Sequence, residues 1–185
     1  IPALFGLGAL LNAAVALYIY GLVPEFLLRF IAWLLVKAVY RLRTSGLAHI
    51  PHEGAAVLVA NHVSFADAVI IMGASPRPIR FVMDHRIFRT PLLGFIFRHT
   101  GAIPIAPAKE DPEMMEKAFA EVSAALSNGD LVGIFPEGAI TRDGELQTFR
   151  PGISRILQRD PVPVVPMALS GLWGSFFSRI DGGAM

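Results

Sequence analysis

Ala55-Ala56-Val57-Leu58-Val59-Ala60, followed by Asn61-His62-Val63-Ser64-Phe65-Ala66-Asp67, sets the fold class of this chain. The first six residues form a continuous apolar run of the length and composition of a buried strand. A polar loop over 61–64 and a short helix over 66–72 follow. A histidine directly behind a buried strand stands at the strand's carboxyl end, where α/β folds place their clefts. Asp67 comes five residues after His62. On one unbroken helix the two side chains would point about 140° apart. With a turn after His62 and a helix starting near Ser64, the carboxylate folds back onto the imidazole. It then holds one ring nitrogen and leaves the other free as a base. Such a pair is a general base without its own nucleophile, so the nucleophile would be a hydroxyl on the substrate. The same residues also fit a capped helix start, with Ser64 as cap and Asp67 in the first turn.

Working outward, strand and helix signals alternate. Strands are expected at 79–83, 102–105, 131–135 and 162–169. Pro163 and Pro166 keep the last of these at an edge or bulge. Residues 87–98 read as helix, interrupted at Pro91. Asp111-Pro112 opens a helix whose stripe is Met115, Ala118, Phe119, Val122 and Leu126, closed by Asn128-Gly129. Alternation of this kind predicts a mixed, mostly parallel sheet flanked by helices.

A second polar group ends a buried strand at Ile134-Phe135-Pro136-Glu137-Gly138. The glycine lets backbone N–H groups turn toward an anion. Thr141, Arg142 and Arg150 lie beyond it as donors to a phosphate. Taken alone, Pro-Glu-Gly is also an ordinary turn. His49 and His52 lie in a Pro/Gly-flanked turn without further ligands, so no metal site is expected. The chain has no phosphate-loop, zinc-helix or nucleophile-elbow motif.

Composition places this domain at a bilayer. Of 185 residues, 54% are hydrophobic and 17% charged, and the mean hydropathy is +0.54. So apolar a chain is not disordered. The absence of cysteine excludes disulfide scaffolds and thiol chemistry. Sixteen basic against 15 acidic residues give a net charge of +1, which argues against nucleic-acid binding. No charged residue occurs from Ile1 to Pro24, a run of roughly 36 Å as helix, enough for a transmembrane span. Tyr18 and Tyr20 fall near its end, as in an aromatic belt. A signal peptide fits poorly, without a basic start or a small-residue cleavage site. Residues 25–43 form an amphipathic pattern, with Glu25, Arg29, Lys37, Arg41 and Arg43 within an arc of roughly 160°. This predicts an interfacial helix, a buried core helix being the alternative. The basic excess places residues 44–185 on the cytoplasmic face. The chain opens on Ile1, which fits a piece of a longer protein whose last domain continues past Met185.

Asn-His-x-Ser-x-x-Asp at 61–67, with Phe135-Pro136-Glu137-Gly138 downstream, resembles the glycerolipid acyltransferase family, over roughly residues 40–175. Gly101–Ile105, Phe149–Gly152 and Val162–Pro166 resemble further blocks of that family. The resemblance implies that His62 deprotonates a hydroxyl of a lysophospholipid or glycerol phosphate, with Asp67 orienting it. The alkoxide attacks the thioester of acyl-CoA or acyl carrier protein, without metal, cofactor or covalent enzyme intermediate. It places Asn61, Ser64, Glu137, Gly138, Thr141, Arg142 and Arg150 among the substrate-binding residues. Pro107 and Ala139-Ile140 stand where the family often carries arginine and Thr-Arg, so Arg142 and Arg150 are expected to take over anion binding. These departures look more like the bifunctional enzymes that re-acylate 2-acylglycerophosphoethanolamine, in which the domain can follow a transporter of the major facilitator type. A catalytically weak lipid-binding module on such a transporter is the alternative.

Overall fold

Strands as short as these, each followed by a helical stretch, can pair in parallel only through crossover connections. A computed structural model of the chain describes residues 2–22, 24–175, 177 and 178. Helices α1 (Pro2–Leu22) and α2 (Pro24–Val39) lead into an alternating body. It consists of β1 (Ala56–Ala60), α3 (Asp67–Ala74), β2 (Arg80–Asp84), α4 (Pro91–His99), β3 (Ile103–Ile105), α5 (Pro112–Ser127), β4 (Leu131–Ile134), α6 (Gly152–Arg159) and β5 (Val164–Met167). The five strands lie in the order β3-β2-β4-β1-β5, and all four pairings are parallel. The chain is thus the α/β fold that the alternation predicts.

β1 sits between β4 and β5, which is why it reads as an unbroken apolar run: Ala56, Val57 and Leu58 are fully buried. Helices α3 and α4 cover one face, packing Ala68, Ile71, Met72 and Phe97 onto Leu58 and Phe81. Helices α5 and α6 cover the other, where Ala118, Phe119, Val122 and Ile156 meet Val57 and Val132. Strand β5, preceded by Pro163 and containing Pro166, lies at the sheet's edge as expected. Pro91 opens α4 after a 3₁₀ turn at His85–Arg89. The Asp111 carboxylate caps α5 by accepting from the Met114 N–H at 2.8 Å.

Two expectations change in detail. Helix α6 is absent from the sequence reading, because it offers only Ile153, Ile156 and Leu157 amid polar residues and follows a Pro-Gly turn signal. The amphipathic helix stops at Val39, not at residue 43, so Arg41 and Arg43 leave its polar arc. Thr44, Ser45 and Gly46 behind them favour turns and caps over helix. The side chains of Tyr20, Glu25 and Arg29, and residues 179–185, lie outside the described residues. Helix α2 packs on α3 through Ala32 and Val36, which are buried, while Phe30, Ile31, Trp33 and Leu34 are exposed. Gly73 permits this approach, since a Cβ there would lie 3.2 Å from the Ala32 carbonyl oxygen. Pro2–Ile19 of α1 is long and apolar enough to cross a membrane, and none of it is buried in the protein.

Gly133, at the centre of the sheet, has no room for a side chain. A Cβ there would meet the Phe81 ring at 2.6 Å and Ile79 at 2.8 Å. Gly133→Ala is expected to lower the unfolding free energy by about 1–3 kcal/mol through overpacking. Denaturant titration measures it, and an unchanged midpoint would contradict this packing.

Candidate active site

His62 and Asp67 meet, and local backbone chemistry explains why. The chain leaves β1 and turns over 61–66, exposing N–H groups that no strand partner takes. The Asp67 carboxylate, at the start of α3, gathers them: Oδ2 accepts from the Val63 N–H at 2.7 Å and the Ser64 N–H at 2.9 Å. The same oxygen lies 2.8 Å from His62 Nδ1. Asp67 is fully buried, whereas the His62 side chain keeps 20% of its surface exposed. With Nδ1–H donating to the carboxylate, Nε2 is left bare, and it has no protein partner among the described residues. Asp67 Oδ1 is buried without a hydrogen-bond partner among those residues. Burial, and after it the Asp67 charge, push the Tyr40 phenol above its ordinary pKa. That hydroxyl therefore stays neutral beside the dyad.

The second strand end clasps the first. Glu137, buried to 3% exposure, accepts from the His62 backbone N–H through Oε1 at 2.8 Å and from the Gln147 N–H through Oε2 at 2.9 Å. The Thr141 N–H donates to the His62 carbonyl at 2.9 Å. The catalytic candidate is thus held by both of its backbone groups. Phe135 stacks on the imidazole at 4.1 Å between centroids and 14° between planes, and Phe81 backs Phe135 at 5.4 Å. The sequence reading gave Phe135 no role. Its signal is its position, at the end of the strand beside β1.

The other expected substrate contacts fall into two groups. Asn61 is engaged by Leu169, whose N–H donates to Oδ1 at 2.7 Å while Nδ2 donates to its carbonyl at 3.0 Å. The Ser64 hydroxyl is buried, accepts from the Ala66 N–H and donates to the Phe177 carbonyl. Thr141 is fully buried, and its hydroxyl serves Asp143 and the Glu145 carbonyl. That bond and the Glu145 N–H hold Asp143 below the usual carboxylate range. Together with Glu137, these side chains have their polar atoms taken by the protein itself. In the structure these four side chains hold the shape of the turn. Gly138 and Arg150 differ. Gly138 adopts φ +68°, and the Arg150 side chain lies across it, so a Cβ there would come within 2.7 Å of Arg150 Cδ. Arg150 Nε donates to the Glu137 carbonyl at 3.1 Å, leaving its outer nitrogens for an anion. Arg142 is exposed and the structure brings it to none of the other candidates. Among the described residues no three metal-ligating side chains gather.

A family model described as Acyltransferase matches residues 41–170, which hold both strand-end clusters. The chain belongs to the acyltransferase family. It is 28% identical over 148 residues to a chloroplastic 1-acyl-sn-glycerol-3-phosphate acyltransferase of Arabidopsis thaliana, covering 80% of this chain and 41% of that protein. A 1-acyl-sn-glycerol-3-phosphate acyltransferase of Borreliella burgdorferi is 24% identical over 138 residues, covering 74% of this chain and 54% of its own length. The chain therefore spans about half or less of these two relatives. The crystal structure of the 1-acyl-sn-glycerophosphate acyltransferase PlsC from Thermotoga maritima shares the fold, with a TM-score of 0.60 and 23% identity, covering 74% of this chain and 55% of that one.

In this acyltransferase domain Glu137 is a brace, and its substitution reads out that role. Glutamine offers one acceptor oxygen where the carboxylate offers two, so one of the two backbone N–H groups loses its partner. Glu137→Gln is expected to cost about 1–3 kcal/mol of stability, seen as a lower denaturation midpoint. Unaltered stability would contradict the assignment.

Proposed function

We propose that this chain carries a membrane-associated O-acyltransferase that moves a fatty acyl group from a thioester to a free hydroxyl of a lysophospholipid or glycerol phosphate. The observation that supports it most is the 2.8 Å contact of His62 Nδ1 with Asp67 Oδ2, which leaves Nε2 without a protein partner among the described residues. In this reading Nε2 takes the proton of the acceptor hydroxyl. The oxygen attacks the thioester carbonyl, the carbon–sulfur bond breaks, and the imidazolium returns its proton to the departing thiolate. Asp67 keeps the ring oriented and stabilises its charged form. In this reading Arg150, lying over Gly138 beside the Glu137 carbonyl, meets the acceptor phosphate, and the exposed Arg142 adds a second positive charge.

The membrane association rests on α1 and on the exposed apolar face of α2. Helix α1 would span the bilayer. Phe30, Ile31, Trp33 and Leu34 would lie in the interface, with the domain on the cytoplasmic side. Both acyl chains partition into lipid, and a site at the surface spares their extraction. The finer expectation, a 2-acylglycerophosphoethanolamine acceptor in a domain following a transporter, rests on Pro107 and on Ala139-Ile140. Ile140 and Thr141 are buried in the turn behind Glu137, so that stretch offers no outward donor to a phosphate monoester.

His62→Ala separates this reading from a lipid-binding module. Purified in detergent and given lysophosphatidate or lysophosphatidylethanolamine with acyl-CoA or acyl carrier protein, the variant is expected to lose about 10²–10⁴ in kcat while remaining folded. Undiminished turnover in a folded variant would end the proposal. The preferred acceptor of the parent chain decides between the two headgroups.

A further inference from the structure

Among the described residues, two buried side-chain polar atoms lack a hydrogen-bond partner, Asp67 Oδ1 and Ser175 Oγ. A buried polar atom left unmet is costly, most of all on a charged group. The fold brings both atoms to one place, around Tyr40. Tyr40 is the first residue past α2, and its N–H donates to the Val36 carbonyl at 2.8 Å. Its half-buried ring packs against the cluster of Val36, Val63, Ile70 and Leu172. Two of these residues bracket Asp67. The Val63 N–H donates to its Oδ2, and Ile70 follows one turn later on the same face of α3. Leu172 brings in Ser175, whose N–H donates to the Leu172 carbonyl at 3.1 Å. That segment is fixed to the dyad's turn: the Phe65 N–H donates to the Phe177 carbonyl at 3.0 Å, and Ser64 and Ser178 form an antiparallel bridge. The Asp67 charge is felt at the Tyr40 phenol, which stays protonated and is therefore a donor.

Buried polar groups of this kind are commonly joined by one ordered water, which needs two to four polar partners. Here a carboxylate oxygen, a serine hydroxyl and a phenol supply three. We infer that one ordered water bridges the Tyr40 hydroxyl, the Ser175 hydroxyl and Asp67 Oδ1, and that Tyr40 is thereby a positioning residue of the dyad. The water accepts from the phenol O–H, donates one hydrogen to Oδ1 and gives the other to the serine oxygen. Asp67 then has donors at both oxygens: the imidazole and two backbone N–H groups at Oδ2, and the water at Oδ1. The plane of the carboxylate is fixed, and with it the plane of the ring it holds. Because Tyr40 hangs on α2, whose outer face is exposed and apolar, the seating of that helix sets the hydrogen bonding of the dyad. The effect on turnover rests on the acyltransferase reading; the bridge itself rests on the geometry alone.

Tyr40→Phe tests this, since it keeps the ring in the cluster and removes only the hydroxyl. Asp67 stabilises an imidazolium that forms in the transition state, so the variant is expected to lose about tenfold in kcat, with the KM for both substrates in place. Ser175→Ala is expected to act in the same direction. The double variant should lose no more than the larger single loss, because both hydroxyls serve one water. A readout independent of turnover is the proton resonance of His62 Nδ1–H in the detergent-solubilised chain, which reports the bond to Asp67. It is expected to move in Tyr40→Phe. An unchanged kcat, a loss carried by KM, an unmoved resonance, or losses that multiply in the double variant would each overturn the inference. A parent chain that moves no acyl group would instead refute the acyltransferase reading, and the resonance alone would then decide the bridge.

Discussion

One buried oxygen organises this molecule. Asp67 Oδ2 receives three donors: the His62 ring and the N–H groups of Val63 and Ser64. A carboxylate removed from water is costly unless its charge is met by hydrogen bonds, and these three meet it at Oδ2. The turn after β1 takes its shape from them, so helix start, turn and imidazole orientation are a single feature. Removing the acid would free two backbone donors as well as the ring.

The surroundings extend that logic. Glu137 takes the N–H of His62 and the Thr141 N–H donates to its carbonyl, so the ends of β1 and β4 are stitched across the residue proposed as the base. Phe135 closes one face of the ring. Most polar side chains of the two motifs are thereby used to hold geometry, which is what a base needs when its nucleophile arrives on the substrate. Few remain for a ligand: the free nitrogen of His62 and the outer nitrogens of Arg150 and Arg142. The same domain rests on α2, whose buried stripe at Ala32 and Val36 packs on α3, the helix that begins with Asp67. A helix with an exposed apolar face is therefore one layer from the dyad.

Much of this was legible in the residues. A central parallel strand buried on both faces has no choice but to be continuously apolar, and Ala55–Ala60 showed it. His62 and Asp67 could be paired because a turn is the one local geometry that brings such a spacing together. Asp111-Pro112 carried its own start signal. Roles that depend on long-range partners were not legible. Glu137 has the composition of a ligand-binding acid, and only the fold reveals that its two oxygens belong to His62 and Gln147. Thr141 and Asn61 share that fate. Helix α6 escaped because three apolar residues on a basic background give too weak a period. The end of α2 escaped because Arg41 and Arg43 prolong the charge pattern past the point where the backbone turns.

The most direct test of the central claim is the protonation pattern of His62, read from ¹⁵N shifts and couplings of the detergent-solubilised chain labelled at histidine. The account predicts that neutral His62 carries its proton on Nδ1, facing Asp67, with Nε2 bare. A proton found on Nε2 would contradict it, because that nitrogen could then take nothing from an acceptor hydroxyl.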